Sequence, residues 1–308
     1  MSVEQELANI APDRETLLAV GVFDGIHAGH RYLLKHLTQK ARETGLLSGV
    51  VTFTPHPQSV LHLDAHLPML ENLSDRIKSL RELGIDLIVP LSFTPELAHL
   101  SARDFIRLLK KYLKMRGLVA GPDFALGKGR EGDVHFLQSL GQEETFSVEI
   151  IPCFSVNGEI VSSTDIRQAL AQGNAEKVAS LMGRHFSITA RVTSGSKRGR
   201  ILGFPTANLD VSPEQALPRN GVYATIANIN NYRFVSVTNI GTRPTFGHSE
   251  RIVETHLLDY KGDLYDEELK VMFIQRLRDE KAFVSAEELS SQISKDVEMA
   301  RLVVGKLK

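Results

Sequence analysis

The chain has 308 residues, of which 42% are apolar and 24% are charged, and its formal net charge is -1. This composition is typical of globular proteins, and the length predicts two domains of about 150 residues each. The near-zero net charge argues against partners that attract a strongly charged protein, such as nucleic acid or an acidic membrane surface.

Cysteine content and hydropathy indicate the cellular compartment in which the protein is expected. Cys153 is the single cysteine, so the chain has no internal disulfide framework, which fits a reducing cytoplasm. No stretch reaches about 18 consecutive apolar residues, and residues 1–15 are acidic, without the apolar core of a signal peptide. We therefore expect a cytoplasmic location and no membrane span.

The first predicted elements are a strand at Thr16–Val20 and a helix that includes Tyr32–Leu37. Two histidines lie between them, where the strand turns into the helix. Free backbone N–H groups at a helix start and the helix dipole favour an anion there, and glycine lets a phosphate approach the backbone closely. The residues predicted to bind or act on a phosphate-bearing ligand are Phe23, Asp24, Gly25, His27, Gly29 and His30.

Other interpretations of this stretch are possible. Two histidines near a turn are often surface or capping residues, and a zinc site would need more ligands, whereas Cys153 is far away and no carboxylate completes the spacing. The phosphate site is favoured because the glycine, the aspartate and the strand-to-helix context agree. The stretch resembles the HxGH signature of the nucleotidyltransferase superfamily, whose members transfer a nucleotidyl group from ATP.

The first half of the chain continues as alternating strands and helices. Strands are predicted at Leu47–Phe53, Ile85–Leu91, Leu118–Ala120 and Phe146–Cys153, and helices at Asp75–Leu80 and from Ser101 to about Tyr112. This alternation predicts right-handed crossovers and a doubly wound parallel sheet covered on both faces, whose ligands bind beyond the carboxyl ends of the strands. The turn that contains His56 and Pro57 lies at such an end and is predicted to contact the ligand.

The loop Gly121–Asp133 also follows a predicted strand and contains a formal G-x-G-x-x-G pattern, with Glu149 as a possible distant acidic residue. A dinucleotide fingerprint is disfavoured because the pattern lies late in the domain and does not open a tight first turn. A basic, glycine-rich loop over a polyphosphate fits better, and a mobile surface loop is about equally consistent with the residues alone. The predicted contacts are Asp123, Gly127 and Arg130.

A third cluster of polar residues occurs at Val161–Leu170. Ser162 and Asp165 form a capping-box pattern before a short helix. Capping does not explain three consecutive hydroxyl residues followed by an arginine one turn into the helix, so we predict a second anion site. Its members are Ser163, Thr164 and Arg167.

The HxGH motif, the TPHP turn, the GxDFxxGxxRxGD loop and the SSTxIR sequence resemble, in this order, the bacterial FAD synthetase domain. Leu126 departs from the pattern, since the family usually has an aromatic residue there. The resemblance implies an adenylyltransferase that joins FMN to ATP and releases pyrophosphate. His27 and His30 would hold the ATP phosphates, and the Ser163–Arg167 cluster would complete the clamp, so positioning and charge stabilisation suffice without a covalent intermediate.

The second half of the chain is predicted to consist mainly of β-strands. After a helix at Asn174–Met182 that ends at Gly183, short strands follow, joined by turns at Asn230–Asn231 and Lys261–Asp263. The predicted strands are Phe186–Val192, Gly221–Ile229, Tyr232–Ile240, Ile252–Asp259 and Leu269–Ile274. They predict a small antiparallel β-barrel with a closing helix from Ser285 to about Leu302. We place the domains at residues 1–183 and 184–308.

The sequence Gly199–Leu209 carries the chemistry expected of the second half. Basic residues precede a glycine turn that could cover phosphates, and Gly199 and Gly203 are predicted contacts. The Thr206 hydroxyl and the Asn208 carbonyl are hard oxygens suited to Mg²⁺. Taken alone, this segment could simply be a turn.

The G-F-P-T-A-N sequence resembles the riboflavin kinase signature, and G-V-Y-A, N-I-G-T-R-P-T-F, E-T-H and R-L-R-D-E match the same family in order. Both motif sets together resemble the bacterial riboflavin kinase/FAD synthetase family. The resemblance implies riboflavin, FMN, FAD and ATP as ligands, Mg²⁺ with ATP, Arg278 as a binding residue, and apo-flavoproteins as downstream partners.

Strand periodicity places Glu254 on the same face as Ile252, His256 and Leu258, which is a mostly apolar face. A carboxylate there is costly without a partner or a role. It could pair with an arginine such as Arg243, or act as general base for the flavin 5′-hydroxyl, and the family resemblance favours the base. The rival functions are an adenylyltransferase with a nucleic-acid-binding barrel and a flavin storage or sensing protein.

Overall fold

The computed structural model of the protein describes residues 1–61, 67–156, 158–194, 203–230, 232–245 and 248–307. Contacts divide the chain into two compact units, Met1–Ser162 and Ser163–Lys308. The division falls before two helices that the sequence analysis assigned to the first domain, which was predicted to end at Gly183.

The first unit alternates helices and strands. Its helices are α1 (Val3–Asn9), α2 (Ala28–Thr44), α3 (Pro57–Leu61), α4 (Leu73–Glu82), α5 (Pro95–Ala98), α6 (Ala102–Leu113) and α7 (Val134–Glu144). Its strands are β1 (Thr16–Val20), β2 (Leu47–Thr54), β3 (Leu87–Ser92), β4 (Met115–Ala120), β5 (Ala125–Leu126), β6 (Gly132–Asp133), β7 (Ser147–Ile150), β8 (Ser155–Val156) and β9 (Glu159–Ile160).

Five of these strands form one parallel sheet in the order β3-β2-β1-β4-β7. The central strand β1 is buried on both faces: Leu18 and Val20 pack in one core with α1, α6 and α7, and Leu17 and Ala19 pack in the other with α2 and α4. The predicted doubly wound sheet is therefore confirmed. The strand order reverses between β1 and β4, which is where such sheets bind ligands.

Local signals explain several element bounds in this unit. The Ser101 hydroxyl accepts a hydrogen bond from the Asp104 amide at 3.1 Å and caps α6, as predicted. The helix α7 was not predicted; Asp133 caps its start, because its carboxylate accepts a hydrogen bond from the Phe136 amide at 2.8 Å. The strand predicted at Phe146–Cys153 is shorter, because only β7 pairs with β4.

The second unit begins with two helices and continues as strands. The helices are α8 (Ser163–Gln172), α9 (Ala175–Met182) and, at its end, α10 (Ala286–Gly305). The strands are β10 (Ser187–Thr193), β11 (Ala207–Asp210), β12 (Gly221–Ile229), β13 (Tyr232–Thr245), β14 (His248–Leu257) and β15 (Glu268–Arg278).

The six strands close into an antiparallel barrel in the order β10-β11-β14-β13-β12-β15, which confirms the predicted barrel and adds β11, a strand that was not predicted. Asn230, at the β12–β13 turn, has the left-handed φ of 47° that a tight hairpin needs, while Asn231 lies outside the described residues. Val222 and Ala224 of β12 pack against Ala300, so α10 covers the barrel wall. Among the described helices, none combines the length and apolar character needed to cross a membrane.

Candidate functional site

The histidine turn after β1 has an unusual backbone. Phe23 (φ 51°), Gly25 (φ 76°) and Ile26 (φ 36°) all lie in the left-handed region, which is costly for a phenylalanine and an isoleucine. Phe23 and Ile26 are buried in one of the two cores, and this packing holds the turn in place. Such strain, kept by surrounding structure, is common at functional sites.

His27 caps α2 and stacks on His30. Its Nδ1 accepts a hydrogen bond from the His30 amide at 3.3 Å, and the two ring centroids are 3.7 Å apart. A Cβ at position 29 would lie 3.2 Å from atoms of the His27 ring. Gly29 therefore leaves the space in which the His27 imidazole lies over the helix start, and this explains the H-x-G-H spacing.

His30 is held neutral by its surroundings. Burial lowers its pKa well below the ordinary value for histidine, and the charges of His27 and Arg76 lower it further. The edge-to-face ring of Phe23 lies 5.2 Å from the imidazole, and the buried Nδ1 has no hydrogen-bond partner among the described residues. A neutral imidazole at a helix start can donate one hydrogen bond to a phosphate oxygen.

Asp24 and Gly25 contact another segment of the protein, residues 70–71. The Asp24 carboxylate, 2% exposed, accepts from the amides of Leu70 at 3.0 Å and Glu71 at 3.2 Å. A Cβ on Gly25 would lie 3.0 Å from the Leu70 side chain. Both residues thus fix the turn against the segment that precedes α4, and their direct contact with a ligand stays a prediction.

The other predicted contacts of the first unit lie at the ends of β2 and β4. Pro57 starts α3, and the His56 Nδ1 accepts from the Gln58 amide at 3.1 Å. In the loop after β4, Arg130 donates to the Asp123 carbonyl at 2.9 Å. Because β1, β2 and β4 are neighbours in a parallel sheet, their three turns share one edge of it.

The glycines of the loop after β4 serve a close approach to α6. A Cβ on Gly127 would lie 2.5 Å from the Ala102 amide nitrogen, and one on Gly132 would lie 2.5 Å from the Ala102 Cβ. The Ala102 amide also donates to Glu131 at 2.8 Å. Two of the three glycines in the formal G-x-G-x-x-G pattern therefore serve packing against α6, while Gly129 has open space around it, and Glu149 bonds to His36 at 2.7 Å.

The hydroxyl–arginine cluster opens α8 in the second unit. Ser163 and Arg167, four residues apart, lie on one face of that helix, with Thr164 beside Ser163. The helix starts directly after Ser162, where the capping-box pattern predicted a helix start. The clamp that these residues would form with the histidines stays a prediction.

A cleft of about 540 Å³ opens in the barrel of the second unit. Thr206 and Asn208, at the start of β11, lie on its wall together with the interior residue Thr255 and the loop residues 260 and 262–265. Their hydroxyl and amide oxygens suit a hard divalent cation that keeps most of its ligands from water and phosphate. No group of three or more His, Cys, Asp or Glu side chains suited to a metal occurs in the described part of the chain.

Glu254 lies opposite Asn208 on one neighbouring strand and opposite Asn239 on the other. All three side chains are half-buried, so they form a polar row across β11, β14 and β13. Ile252 and His256, which share this face of β14 with Glu254, are also half-buried, whereas Val253 and Leu257 on the opposite face are buried. Leu258 directly follows the strand and belongs to the same apolar cluster as Val237, the cross-strand partner of His256.

His256 has a role that the sequence analysis missed. Its Nδ1 lies 2.7 Å from the Pro205 carbonyl oxygen, and its ring meets that of Phe204 edge to face at 5.6 Å. It therefore holds the segment that leads into Thr206. The signal in the sequence was its spacing of two residues from Glu254, which puts both on one face.

The structure describes two of the remaining predicted contacts of the second unit, Gly203 and Arg278, but not Gly199. Gly203 has a left-handed φ of 85° and open space around it. Gly199 lies outside the described residues, as does the side chain of Arg243, the predicted ion-pair partner of Glu254. Arg278 donates to Asp296 of α10 at 3.0 and 2.8 Å, so its guanidinium joins the closing helix to the barrel, and its contact with a ligand stays a prediction.

Two family models match successive parts of the chain. The model described as FAD synthetase matches residues 9–165, and the one described as riboflavin kinase matches residues 182–304. Their order agrees with the order of the parallel-sheet unit and the barrel unit.

Similar proteins match nearly the whole chain. A bifunctional riboflavin kinase/FMN adenylyltransferase of Escherichia coli (strain K12) is 38% identical and covers 96% of this chain and 95% of its own. Proteins of the same description from Pseudomonas fluorescens and Listeria monocytogenes are 38% and 33% identical, covering 98% and 96% of this chain and 97% and 94% of their own. A crystal structure described as a macrolide-efflux protein from Streptococcus pneumoniae is similar with a TM-score of 0.88, at 29% identity and 96% coverage of each chain. The chain therefore belongs to the family of bifunctional riboflavin kinases/FMN adenylyltransferases.

Proposed function

We propose that the chain makes FAD from riboflavin in two ATP-dependent steps. Riboflavin is first phosphorylated to FMN, and FMN is then adenylylated to FAD with release of pyrophosphate. The observation that carries this proposal is the presence, in one chain, of a stacked histidine pair beyond β1 and a Thr206–Asn208 cleft in a closed barrel. The family assignment supports the same pair of reactions.

The adenylyl transfer belongs to residues 1–183 in this proposal. An oxygen of the FMN phosphate attacks the α-phosphorus of ATP, the bond to the β-phosphate oxygen breaks, and pyrophosphate leaves. His27 and His30 donate to the phosphate oxygens on which charge builds up, and the Ser163–Arg167 cluster adds hydroxyls and a cation. Preorganised donors of this kind stabilise the transition state without a covalent intermediate.

The kinase reaction belongs to residues 184–308. Thr206 and Asn208 are the residues that would hold Mg²⁺, which when bound neutralises the phosphate charge of ATP. Glu254 accepts the proton of the riboflavin 5′-hydroxyl as the hydroxyl oxygen attacks the γ-phosphorus of ATP, the bond from that phosphorus to the β-phosphate oxygen breaks, and ADP leaves. The half-buried row of Asn208, Glu254 and Asn239 supports this role, because it places the carboxylate beside the predicted metal ligand.

Location and partners complete the proposal. Both reactions consume ATP, which fits a cytoplasmic enzyme. FAD and FMN would pass to apo-flavoproteins downstream, and no nucleic acid takes part.

A time course with riboflavin, ATP and Mg²⁺ tests the function. We expect FMN to appear first and FAD to follow, with pyrophosphate released in step with FAD. A flavin storage or sensing protein would bind riboflavin without consuming ATP. An adenylyltransferase with a nucleic-acid-binding barrel would show a shift in thermal unfolding with RNA and none with riboflavin.

Two fragments test the division of labour. The fragment 184–308 should phosphorylate riboflavin and make no FAD. The fragment 163–308 should do the same with a higher melting temperature, because α9 packs against β15 and the Arg219 amide donates to the Leu170 carbonyl at 2.8 Å. FAD formation by either folded fragment would contradict the assignment.

A further inference from the structure

Arg76 is a buried cation next to the histidine turn. It comes from α4 and is 1% exposed. Its Nη1 shares hydrogen bonds with the Val22 carbonyl at 3.0 Å, the Phe53 carbonyl at 3.1 Å and the Thr52 hydroxyl at 3.2 Å. Val22 directly precedes the histidine turn and Phe53 precedes the T-P-H-P turn, so one guanidinium nitrogen ties both turns together.

Neighbouring bonds reinforce this link. The Thr52 hydroxyl donates to the Val22 carbonyl at 2.8 Å, and the Arg76 Nη2 donates to the Glu71 carbonyl at 3.4 Å. The carboxylates of Asp24 and Glu71 favour the charged form of Arg76 and oppose the lowering of its pKa by burial. A charge at this depth persists only when it is compensated in this way.

The same charge acts on His30. The charged and titratable groups that bear on its imidazole are His27, on its own turn, and Arg76, from α4. Positive charge from that side disfavours protonation of His30, so Arg76 contributes both to the shape of the turn and to the state of its histidine.

We propose that Arg76 is a positioning residue for FMN adenylylation, which fixes the histidine turn and the T-P-H-P turn relative to each other through the carbonyls of Val22 and Phe53. The inference rests on the proposed adenylyltransferase function. It adds a residue that does not belong to the predicted phosphate contacts and acts through the backbone.

The experiment compares Arg76→Gln, which removes the charge and most donors, with Arg76→Lys, which keeps the charge and loses the planar fork. Arg81→Gln is the matched control, since Arg81 is exposed on the same helix. For Arg76→Gln we expect kcat for FMN adenylylation to fall about 10²-fold, because a shift of about 1 Å in catalytic groups has this effect. The KM for FMN should change by less than about threefold, since substrate binding elsewhere is kept. Riboflavin phosphorylation in the same samples should not change.

A second readout follows the His30 imidazole by NMR across pH, its signal being identified by its loss in His30→Ala. In Arg76→Gln it should take up a proton at higher pH than in the wild type. In Arg76→Lys the titration should stay near that of the wild type while kcat still falls, because the charge remains and the fork is lost. A purely structural role would leave kcat of the folded fraction unchanged in both Arg76 variants, even where loss of the charge shifts the His30 titration.

Thr52→Val tests the proposal if the Arg76 variants do not fold. It removes one hydrogen-bond acceptor of the Arg76 guanidinium and leaves the charge of Arg76 in place. It should lower kcat for adenylylation by a smaller factor, without moving the His30 titration. The proposal is overturned if folded Arg76 variants, or Thr52→Val where they do not fold, make FAD from FMN as fast as the Arg81→Gln control. A wild-type protein that makes no FAD from FMN would instead refute the proposed function, and the His30 titration would still report on Arg76.

Discussion

The histidine turn of the first unit and the Thr206–Asn208 segment of the second hold their functional side chains in different ways. His27 and His30 are stacked, and Asp24 and Gly25 fix their turn to the segment before α4. By contrast, Thr206 is exposed and Asn208 is half-buried on the wall of an open cleft. The first site is organised by contacts within the protein, whereas in the proposed kinase a metal and a nucleotide would bring the oxygens of the second site together. The two sites should therefore respond differently to substitution.

The largest expected effect concerns Glu254 in the barrel. Glu254→Gln keeps the size and the hydrogen-bonding capacity and removes the basic oxygen, and general-base contributions are typically about 10²–10⁴-fold. FMN formation should fall by that order, while riboflavin binding changes much less and FAD formation from supplied FMN remains. Rates and melting temperature are measured on the same sample. A variant that is destabilised but fully active in its folded fraction would show that Glu254 is only an ion-pair partner.

The next largest effect is expected at His30. His30→Ala removes the proposed donor to the reacting phosphates, and loss of one such donor typically costs about 10²–10³ in rate. With riboflavin and ATP, FMN should accumulate because the kinase site is untouched. Chromatography of the flavins over time measures this. Unchanged FAD formation would leave His30 with a role only at the start of α2.

Gly29→Ala sharpens the same contrast with a smaller change. The added Cβ would lie 3.2 Å from the His27 ring, so the stacked imidazole must move by a few tenths of an ångström. We expect FAD formation to fall about tenfold through misplacement of the donor. Stability should stay the same or rise, because alanine is a better helix former than glycine. A rate equal to the wild type would mean that the His27 position is not critical.

The smallest effect concerns pH. Burial and the charges of His27 and Arg76 lower the pKa of His30 in the folded protein. Below a pH of about 6.5 the unfolded chain therefore binds a proton that the native state does not, and the free energy of unfolding falls as pH decreases. This one group contributes up to about 1.4 kcal/mol per pH unit until the lowered pKa is reached. The free energy of unfolding is measured with denaturant at several pH values between 7 and 5. It should fall less steeply with decreasing pH in His30→Ala than in the wild type, and an equal pH dependence would contradict the lowered pKa.

The sequence predicted the parts of this molecule that depend on short-range pattern. The apolar run Thr16–Val20 and the glycines after it located β1 and the histidine turn, and Ser101 located the start of α6. The short strand β11 was missed because its four residues become a strand only through pairing with β10 and β14. Glu254 was placed on the same face of its strand as Ile252 and His256, and these three residues are indeed half-buried while Val253 and Thr255 between them are buried.

Contacts between segments that are distant in the sequence could not be predicted from local sequence patterns. Asp24 and Gly25 were predicted as ligand contacts. The hydrogen bonds of Asp24 to residues 70–71 and the close approach of Gly25 to Leu70 could not be predicted, because a separation of about 46 residues carries no periodicity. The burial of Arg76 could not be predicted for the same reason. A charged residue on a helix is usually exposed, and its burial is explained only by its hydrogen-bond partners on β2 and beside the histidine turn.

The central claim is that two different phosphorus atoms of ATP are transferred at two sites. Incubation of the protein with riboflavin and ATP labelled at either the α- or the γ-phosphorus tests it directly. We expect the γ-label to enter FMN and to stay in FAD, and the α-label to enter FAD alone. With FMN as substrate, Glu254→Gln should incorporate the α-label and no γ-label. FAD without the γ-label from riboflavin, or an α-label in FMN, would contradict the account.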